Sequence, residues 1–240
     1  MNAALEANLS ALILLRASII LRKMIVADSS SMISLALNCM SGVLGELGVK
    51  VTVTPAVYDE IVSRPSESRR YALEALRINK LFNDGVLSKV AADKAVTDRI
   101  LSLSNSVFEV KGKPLTIIHL GEAEALSLIK TLGADALLID ERTTRLLIED
   151  PQGLRGFLSE RANASVRMNE RRFRELSAYI PKVPVLRSTE IAALAYEAGV
   201  LPKMLNASGK HVLDASLSAL KYSGCAITWE EIDEYLRIIS

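Results

Sequence analysis

The stretch LGEAEALSLIKTLGADALLIDER, residues 120–142, decides the fold class. Its first part, EAEALSLIKTLG, is a helix by the spacing of its apolar residues, and ADALLID is a strand that ends on Asp140. The same alternation of strands and helices runs through residues 24–200, which predicts an α/β fold with a mainly parallel central sheet between two helical layers. The predicted strands are 24–28, 49–53, 86–90, 134–140 and 184–188, and residues 115–119 lead into the helix behind Gly121.

Composition limits the function classes without choosing among them. The chain has 240 residues, of which 50% are hydrophobic and 24% charged, so it is long enough to bury a core. The net charge is only +1, and overall basicity therefore gives no argument for nucleic acid. Two cysteines, Cys39 and Cys225, cannot form a disulfide framework, which favours a cytoplasmic protein.

Motif counts exclude several kinds of site. The chain has two histidines, His119 and His211, so a histidine-based zinc site or a Ser-His-Asp triad is thinly supplied. No GxGxxG and no GxxxxGK[ST] occurs, which argues against dinucleotide binding and P-loop chemistry. A metal ion in this protein would therefore be held by carboxylates.

Four acids occupy positions that could bring them together. Asp28 and Asp140 each end an apolar strand, Glu60 follows another strand, and Glu122 begins a helix. Ligands of open parallel sheets bind at the carboxyl ends of the strands. Converging carboxylates repel one another unless they are protonated or bound to a hard cation such as Mg²⁺ or Mn²⁺. Taken singly, each acid is also explained as a turn residue or a helix cap.

Three segments carry a resemblance to a known family: MIVADSSS (24–31), PAVYDEIV (55–62) and residues 120–142. Together they resemble a PIN domain, the nuclease fold of VapC-type toxins, and are most similar to the small prokaryotic group with a GEAEA helix. VPVLRSTEIAALAYEAGVL resembles the family's last strand and helix. The resemblance implies a three-layer α/β/α fold with C-terminal helices.

The resemblance also implies the site residues. Asp28, Glu60, Glu122 and Asp140 would be catalytic, with Asp28, Glu122 and Asp140 as ligands of one or two Mg²⁺ or Mn²⁺ ions. Glu122 precedes Asp140 by the family's spacing, and Glu124 is the second choice. The remaining secondary positions are Ser29, Ser30 and Glu141.

Two segments depart from the family pattern. Residues 1–23 form an N-terminal extension, expected either from an early start codon or as an accessory helix; its apolar run, 9–21, is too short to span a membrane. Residues 151–182 form a basic, helical insertion before the last strand. We therefore expect a PIN-like domain over 24–200 and C-terminal helices over 201–240 packed on it.

The insertion is a candidate RNA-binding surface or, alternatively, a solvated amphipathic segment, since its arginines are interleaved with glutamates. The RNA-binding candidates are Arg142, Arg145, Arg167, Arg171, Arg172 and Arg174.

The sequence thus predicts a metal-dependent endoribonuclease, either a VapC-like toxin or an RNA-processing enzyme. The alternative is a non-catalytic PIN-fold module that binds RNA or protein. The expected partners are RNA, an antitoxin-like protein and a second copy of the chain, with no membrane association.

Overall fold

A five-stranded parallel sheet forms the centre of the computed structural model, which describes residues 24–239. Its strands are β1 (Met24–Ala27), β2 (Lys50–Val53), β3 (Leu87–Lys89), β6 (Ala136–Leu138) and β8 (Val185–Leu186), in the order β3-β2-β1-β6-β8. Every pair of neighbours in this sheet is parallel. The expected α/β fold with a mainly parallel central sheet is confirmed. The expected extension, residues 1–23, lies outside the described residues.

Helices surround this sheet. They are α1 (Ser29–Leu37), α2 (Val43–Glu46), α3 (Pro55–Tyr58), α4 (Arg64–Ser66), α5 (Ala72–Asn83), α6 (Lys94–Ser104), α7 (Leu120–Leu132), α8 (Arg142–Glu149), α9 (Pro151–Ala162), α10 (Glu170–Tyr179), α11 (Ser188–Glu197), α12 (Val200–Leu205), α13 (Lys210–Tyr222) and α14 (Trp229–Ile238). A π-helical turn, Asp59–Ser63, joins α3 to α4. No helix within residues 24–239 is long and apolar enough to cross a membrane.

The strands β1, β2, β6 and β8 are largely buried, whereas the edge strand β3 exposes two of its three residues. Alternate residues of β1 point to opposite sides of the sheet. Ile25 and Ala27 pack into a core with α1, α5, α11, α13 and α14. Val26 packs into a second core with α6, α7, α8, α9 and α10. These two cores make the three layers of the fold.

A second, smaller sheet lies outside the central one. It contains β4 (Phe108–Val110), β5 (Lys113–Pro114) and β7 (Val166–Met168), all antiparallel, in the order β5-β4-β7. Because β7 belongs to the segment 151–182, this insertion contains a strand between its two helices, α9 and α10. The sequence did not predict β7, whose three residues pair with a strand far away in sequence.

Residues 115–119, which lead into α7 as the sequence indicated, form no strand. The side chain of Asn105 binds this segment instead of a neighbouring strand: its Oδ1 accepts from the backbone N–H groups of Ile117 (2.6 Å) and Ile118 (3.0 Å), and its Nδ2 donates to the Ile118 carbonyl. Side-chain amides that satisfy backbone groups compete with strand pairing. The segment is therefore an irregular lead into α7.

A buried ionic cluster fastens the C-terminal helix to the end of β8. The Arg187 guanidinium pairs with Glu190 (2.8 Å) and with Glu231 (3.0 Å), and the Tyr235 hydroxyl donates to Glu190 (2.8 Å). Burial, and then the Glu190 charge, raises the pKa of Tyr235, so its hydroxyl remains a donor. Arg187 and Glu190 are almost fully buried.

Removing the guanidinium should therefore be strongly destabilising. We expect Arg187→Ala to lower the free energy of unfolding by about 3–5 kcal/mol, because the buried Glu190 charge loses its cationic partner. Urea unfolding measures this quantity. Arg171→Ala is the matched control, since Arg171 pairs with Glu175 at the surface (3.7 Å), and its loss should cost less than about 1 kcal/mol. Equal losses in the two variants would contradict this role of Arg187.

Candidate functional site

Two buried aspartates meet at the carboxyl edge of the central sheet. Asp28 follows β1 and Asp140 lies two residues beyond β6, and β1 and β6 are neighbouring parallel strands. The backbone N–H of Asp28 donates to the Leu138 carbonyl (2.9 Å), which extends the ladder to the end of β1. Asp28 is 5% exposed and Asp140 is 2% exposed. The structure thus brings these two predicted site residues to one edge.

Three donors hold the carboxylate of Asp140. The hydroxyl of Ser31 donates to Oδ1 (2.8 Å), the backbone N–H of Ser188 donates to Oδ1 (2.7 Å), and the hydroxyl of Ser188 donates to Oδ2 (2.6 Å). Ser31 belongs to α1, whereas Ser188 is the first residue of α11. The Asp140 carboxylate is therefore oriented by the helices that follow β1 and β8.

Sequence reasoning missed Ser188 and Ser31. The signal that could have found Ser188 is its position just past the β8 strand end, the same kind of position that identified the aspartates. Of the predicted pair Ser29 and Ser30, it is Ser30 that connects the two acids. Its backbone N–H donates to Asp28 Oδ2 (3.0 Å), and its hydroxyl accepts from the backbone N–H of Asp140 (3.1 Å).

The electrostatics of Asp28 are unfavourable to its charged form. Burial raises the pKa of Asp28, and the negative charge of Glu122 raises it further, while hydrogen bonds from Ser30 act in the opposite direction. Glu122 is thus close enough for its charge to act on Asp28. Glu122 also caps α7, because its Oε2 accepts from the His119 backbone N–H (2.9 Å).

The other predicted acids lie apart from this pair. Glu60 is exposed on the π-helical turn and lines a different cavity, beside Ile33 and Tyr71. Within the described chain, no hydrogen bond or ion pair joins Glu60 to Asp28, Glu122 or Asp140. Glu141 caps α8 by accepting from the Thr143 and Thr144 backbone N–H groups (2.8 and 2.6 Å). Glu124 is half-buried, and its Oε2 has no hydrogen-bond partner among residues 24–239.

Each arginine predicted to bind RNA has an intramolecular partner. Arg142 lies over the Phe157 ring (4.4 Å), Arg145 pairs with Glu149 (3.6 Å), Arg167 with Glu109 (3.9 Å), Arg171 and Arg172 with Glu175 (3.7 and 3.0 Å), and the Nε of Arg174 donates to the Glu170 carbonyl (3.3 Å). Exposed ion pairs of this kind are weak. The role of these arginines in RNA binding stays a prediction.

The sheet edge at Asp28 and Asp140, called here the acid edge, has a chemistry that suits a hard cation. Carboxylate oxygens are the ligands that Mg²⁺ and Mn²⁺ prefer, and a cation would relieve the cost of ionising the buried Asp28 beside Glu122. Within residues 24–239, however, no three His, Cys, Asp or Glu side chains are grouped closely enough to hold an ion. Metal binding would thus require the carboxylates to draw closer together.

Comparison with known proteins agrees with this architecture. The model of a family described as a PIN domain matches residues 24–151, from the start of β1 to the first residue of α9. The chain belongs to this family, and the resemblance drawn from the sequence is confirmed. PIN domains are generally nucleases, usually with divalent metals, and generally bind RNA. No curated protein and no solved structure matches the chain.

Because the pKa of Asp28 is raised in the folded protein, its ionised form should lower the free energy of unfolding at neutral pH. In the absence of metal, the folded protein binds the Asp28 proton more tightly than the unfolded chain does. The free energy of unfolding therefore falls as the pH rises from the unfolded-state pKa through the raised folded-state pKa. Asparagine also caps helices well, so Asp28→Asn should unfold at a higher temperature than wild type at neutral pH, by about 2–4 °C for each kcal/mol relieved.

The measurement is thermal unfolding in a chelator as a function of pH. The advantage of Asp28→Asn should shrink as the pH is lowered into the range where Asp28 is protonated. Asp93→Asn is the matched control, because Asp93 caps α6 from an exposed position and should show no such gain. An Asp28→Asn variant that is less stable than wild type at neutral pH would contradict the argument.

Proposed function

We propose that this chain is a divalent-metal-dependent endoribonuclease that hydrolyses RNA phosphodiester bonds. The observation that carries the proposal is the pair of buried aspartates, Asp28 and Asp140, at the ends of neighbouring parallel strands. Glu122 adds a third negative charge that acts on Asp28. Such a concentration of buried acid is unfavourable alone and becomes favourable when a cation is bound.

The chemistry assigns a role to each acid. Asp28, Glu122 and Asp140 would hold the ion, and Glu60 would orient the ion or its water after moving toward the edge. A bound Mg²⁺ or Mn²⁺ supplies a water of lowered pKa and offsets the charge on the leaving oxygen of an in-line displacement. Ser31 and Ser188 act as positioning residues, because they fix the orientation of the Asp140 carboxylate.

A covalent route through the nearby cysteine is disfavoured. Burial, and then the charge of Asp140, raises the pKa of the Cys225 thiol to about 12. The thiolate, rather than the thiol, is the nucleophile in such reactions. Cys225 is therefore a packing residue at neutral pH, and a water nucleophile agrees better with the site.

A second candidate function is a non-catalytic PIN-fold module that binds RNA or protein. The observation that favours it is the saturation of Asp140, whose two carboxylate oxygens already accept three hydrogen bonds. In such a module the acids would cap helices and connect strands, as Glu122 does for α7. Metal affinity separates the two candidates.

The antitoxin-like partner, the second copy of the chain and the cytoplasmic location all stay predictions. A toxin-like role would place a partner on exposed apolar side chains. Such residues occur on α1 and α5 and between α4 and α5: Ile33, Leu37, Tyr71, Leu73 and Leu76. The free thiols of Cys39 and Cys225 support a reducing compartment.

Cleavage of a panel of labelled structured and unstructured RNAs tests the proposal. With Mg²⁺ or Mn²⁺ we expect wild type to cut, and we expect a chelator to stop it. Asp28→Asn and Asp140→Asn should each reduce the cleavage rate by ~100-fold or more, because substitutions even beside metal ligands cost 10–100-fold. Asp98→Asn is the matched control, since Asp98 is an exposed residue that pairs with Lys94 on α6, and it should cut at the wild-type rate.

Three results would contradict the nuclease. Cutting that persists in both aspartate variants would assign the activity to another site or a contaminant. Cutting that survives the chelator would remove the metal from the reaction. Absence of cutting together with absence of Mn²⁺ binding by calorimetry would favour the non-catalytic module.

A further inference from the structure

A cleft of about 570 Å³ opens beside Glu122. The cleft is lined by the irregular segment before α7, with Leu115 and His119, and by the end of α9, with Leu158 and Arg161. The volume lies in the range of ligand sites, about 300–1,000 Å³. Glu141, which directly follows Asp140 in the chain, also lines the cleft, so the cleft adjoins the acid edge.

The lining of the cleft has two kinds of chemistry. Leu115, Ile117 and Leu158 form an apolar surface, called here the apolar wall, whereas Arg161 and His119 provide nitrogen donors. The flat face of a nucleobase can stack between apolar side chains, and a phosphate binds the guanidinium of an arginine. A single nucleotide presents these two surfaces at the same time.

We propose that this cleft is a nucleotide-binding subsite in which an unpaired base packs on Leu115 and Leu158 while Arg161 binds an adjacent phosphate. This inference rests on the proposed nuclease function and names a substrate contact for it. Arg161 belongs to the insertion 151–182, outside the range matched by the family model. The subsite would therefore be a feature of this chain's own insertion.

The state of Arg161 distinguishes it from the arginines that the sequence singled out. Arg167, Arg171 and Arg172 pair with glutamates. Among residues 24–239, Arg161 forms no ion pair, and it is exposed at the cleft. Its guanidinium can bind a phosphate without breaking an existing contact. The insertion would thus contribute to RNA binding through the end of α9 rather than through α10.

The apolar lining of the cleft favours an unpaired nucleotide. In a duplex, bases are stacked and paired, so their faces cannot reach an apolar wall, whereas single strands can turn bases outward. The apolar wall requires such a base. A strand lying in the cleft would reach Glu122, and so its backbone would pass along the acid edge.

The test measures RNA binding without cleavage. In an Asp28→Asn background with Mg²⁺, fluorescence anisotropy gives the affinity for a short unstructured RNA, for the same RNA as a duplex and for an abasic strand of equal length. Arg161→Ala is compared with Arg155→Ala, because Arg155 is exposed on the same helix but lies outside the cleft. We expect Arg161→Ala to weaken binding of the unstructured RNA about tenfold, which is ~1.4 kcal/mol.

The salt dependence provides a second readout. Arg161→Ala should lower the slope of log affinity against log salt by about 0.7, the value for one phosphate contact on a single strand, and Arg155→Ala should leave it unchanged. The Asp28→Asn protein that retains Arg161 should bind the unstructured RNA more tightly than the duplex or the abasic strand.

The outcomes separate the subsite from the function. Equal affinities and slopes for the two arginine variants would overturn the role of Arg161, even if the protein binds and cuts RNA. Equal binding of the abasic and base-carrying strands would overturn the role of the apolar wall. If the protein binds none of the three RNAs, either as wild type or with Asp28→Asn, both the proposed function and the subsite are overturned.

Discussion

The carboxylate of Asp140 is buried at the edge of the sheet, and three hydrogen-bond donors from Ser31 and Ser188 hold it there. A buried carboxylate is stable only when its oxygens are satisfied. These donors require α1 and α11 to begin at the same edge, which happens because β1 and β8 both neighbour β6 and run parallel to it. The stability of the buried Asp140 carboxylate therefore depends on the order of these three strands.

The C-terminal part of the chain contributes to this constraint. Ser188 directly follows Arg187, which is fixed by Glu190 and by Glu231 at the start of α14. Tyr235, which also belongs to α14, donates a hydrogen bond to Glu190. The last helix thus helps to place a residue that orients Asp140.

Asp28 is in the opposite situation from Asp140, because its burial and the charge of Glu122 disfavour its ionised form. One aspartate is satisfied by the protein, and under the proposed function a cation would satisfy the other.

The sequence predicted what depends on local pattern. A short apolar run that ends on Asp placed both aspartates correctly, and the strand–helix alternation predicted the central sheet. It did not predict contacts between distant residues: Ser188 and Asp140 are 48 positions apart, and Ser31 and Asp140 are 109 apart. Nor did it predict that the Asn105 side chain would bind the backbone of residues 117 and 118. The arginine-rich segment predicted a charged surface, but not that Glu175 and Glu109 would pair with three of its six arginines.

Anomalous diffraction from crystals soaked in Mn²⁺ tests most directly whether the acid edge binds a divalent cation. We expect a peak within about 2.0–2.6 Å of carboxylate oxygens from both Asp28 and Asp140. A saturated crystal without a peak at this edge, or with Mn²⁺ bound only elsewhere, would contradict it and would leave the acids as structural residues of a binding module.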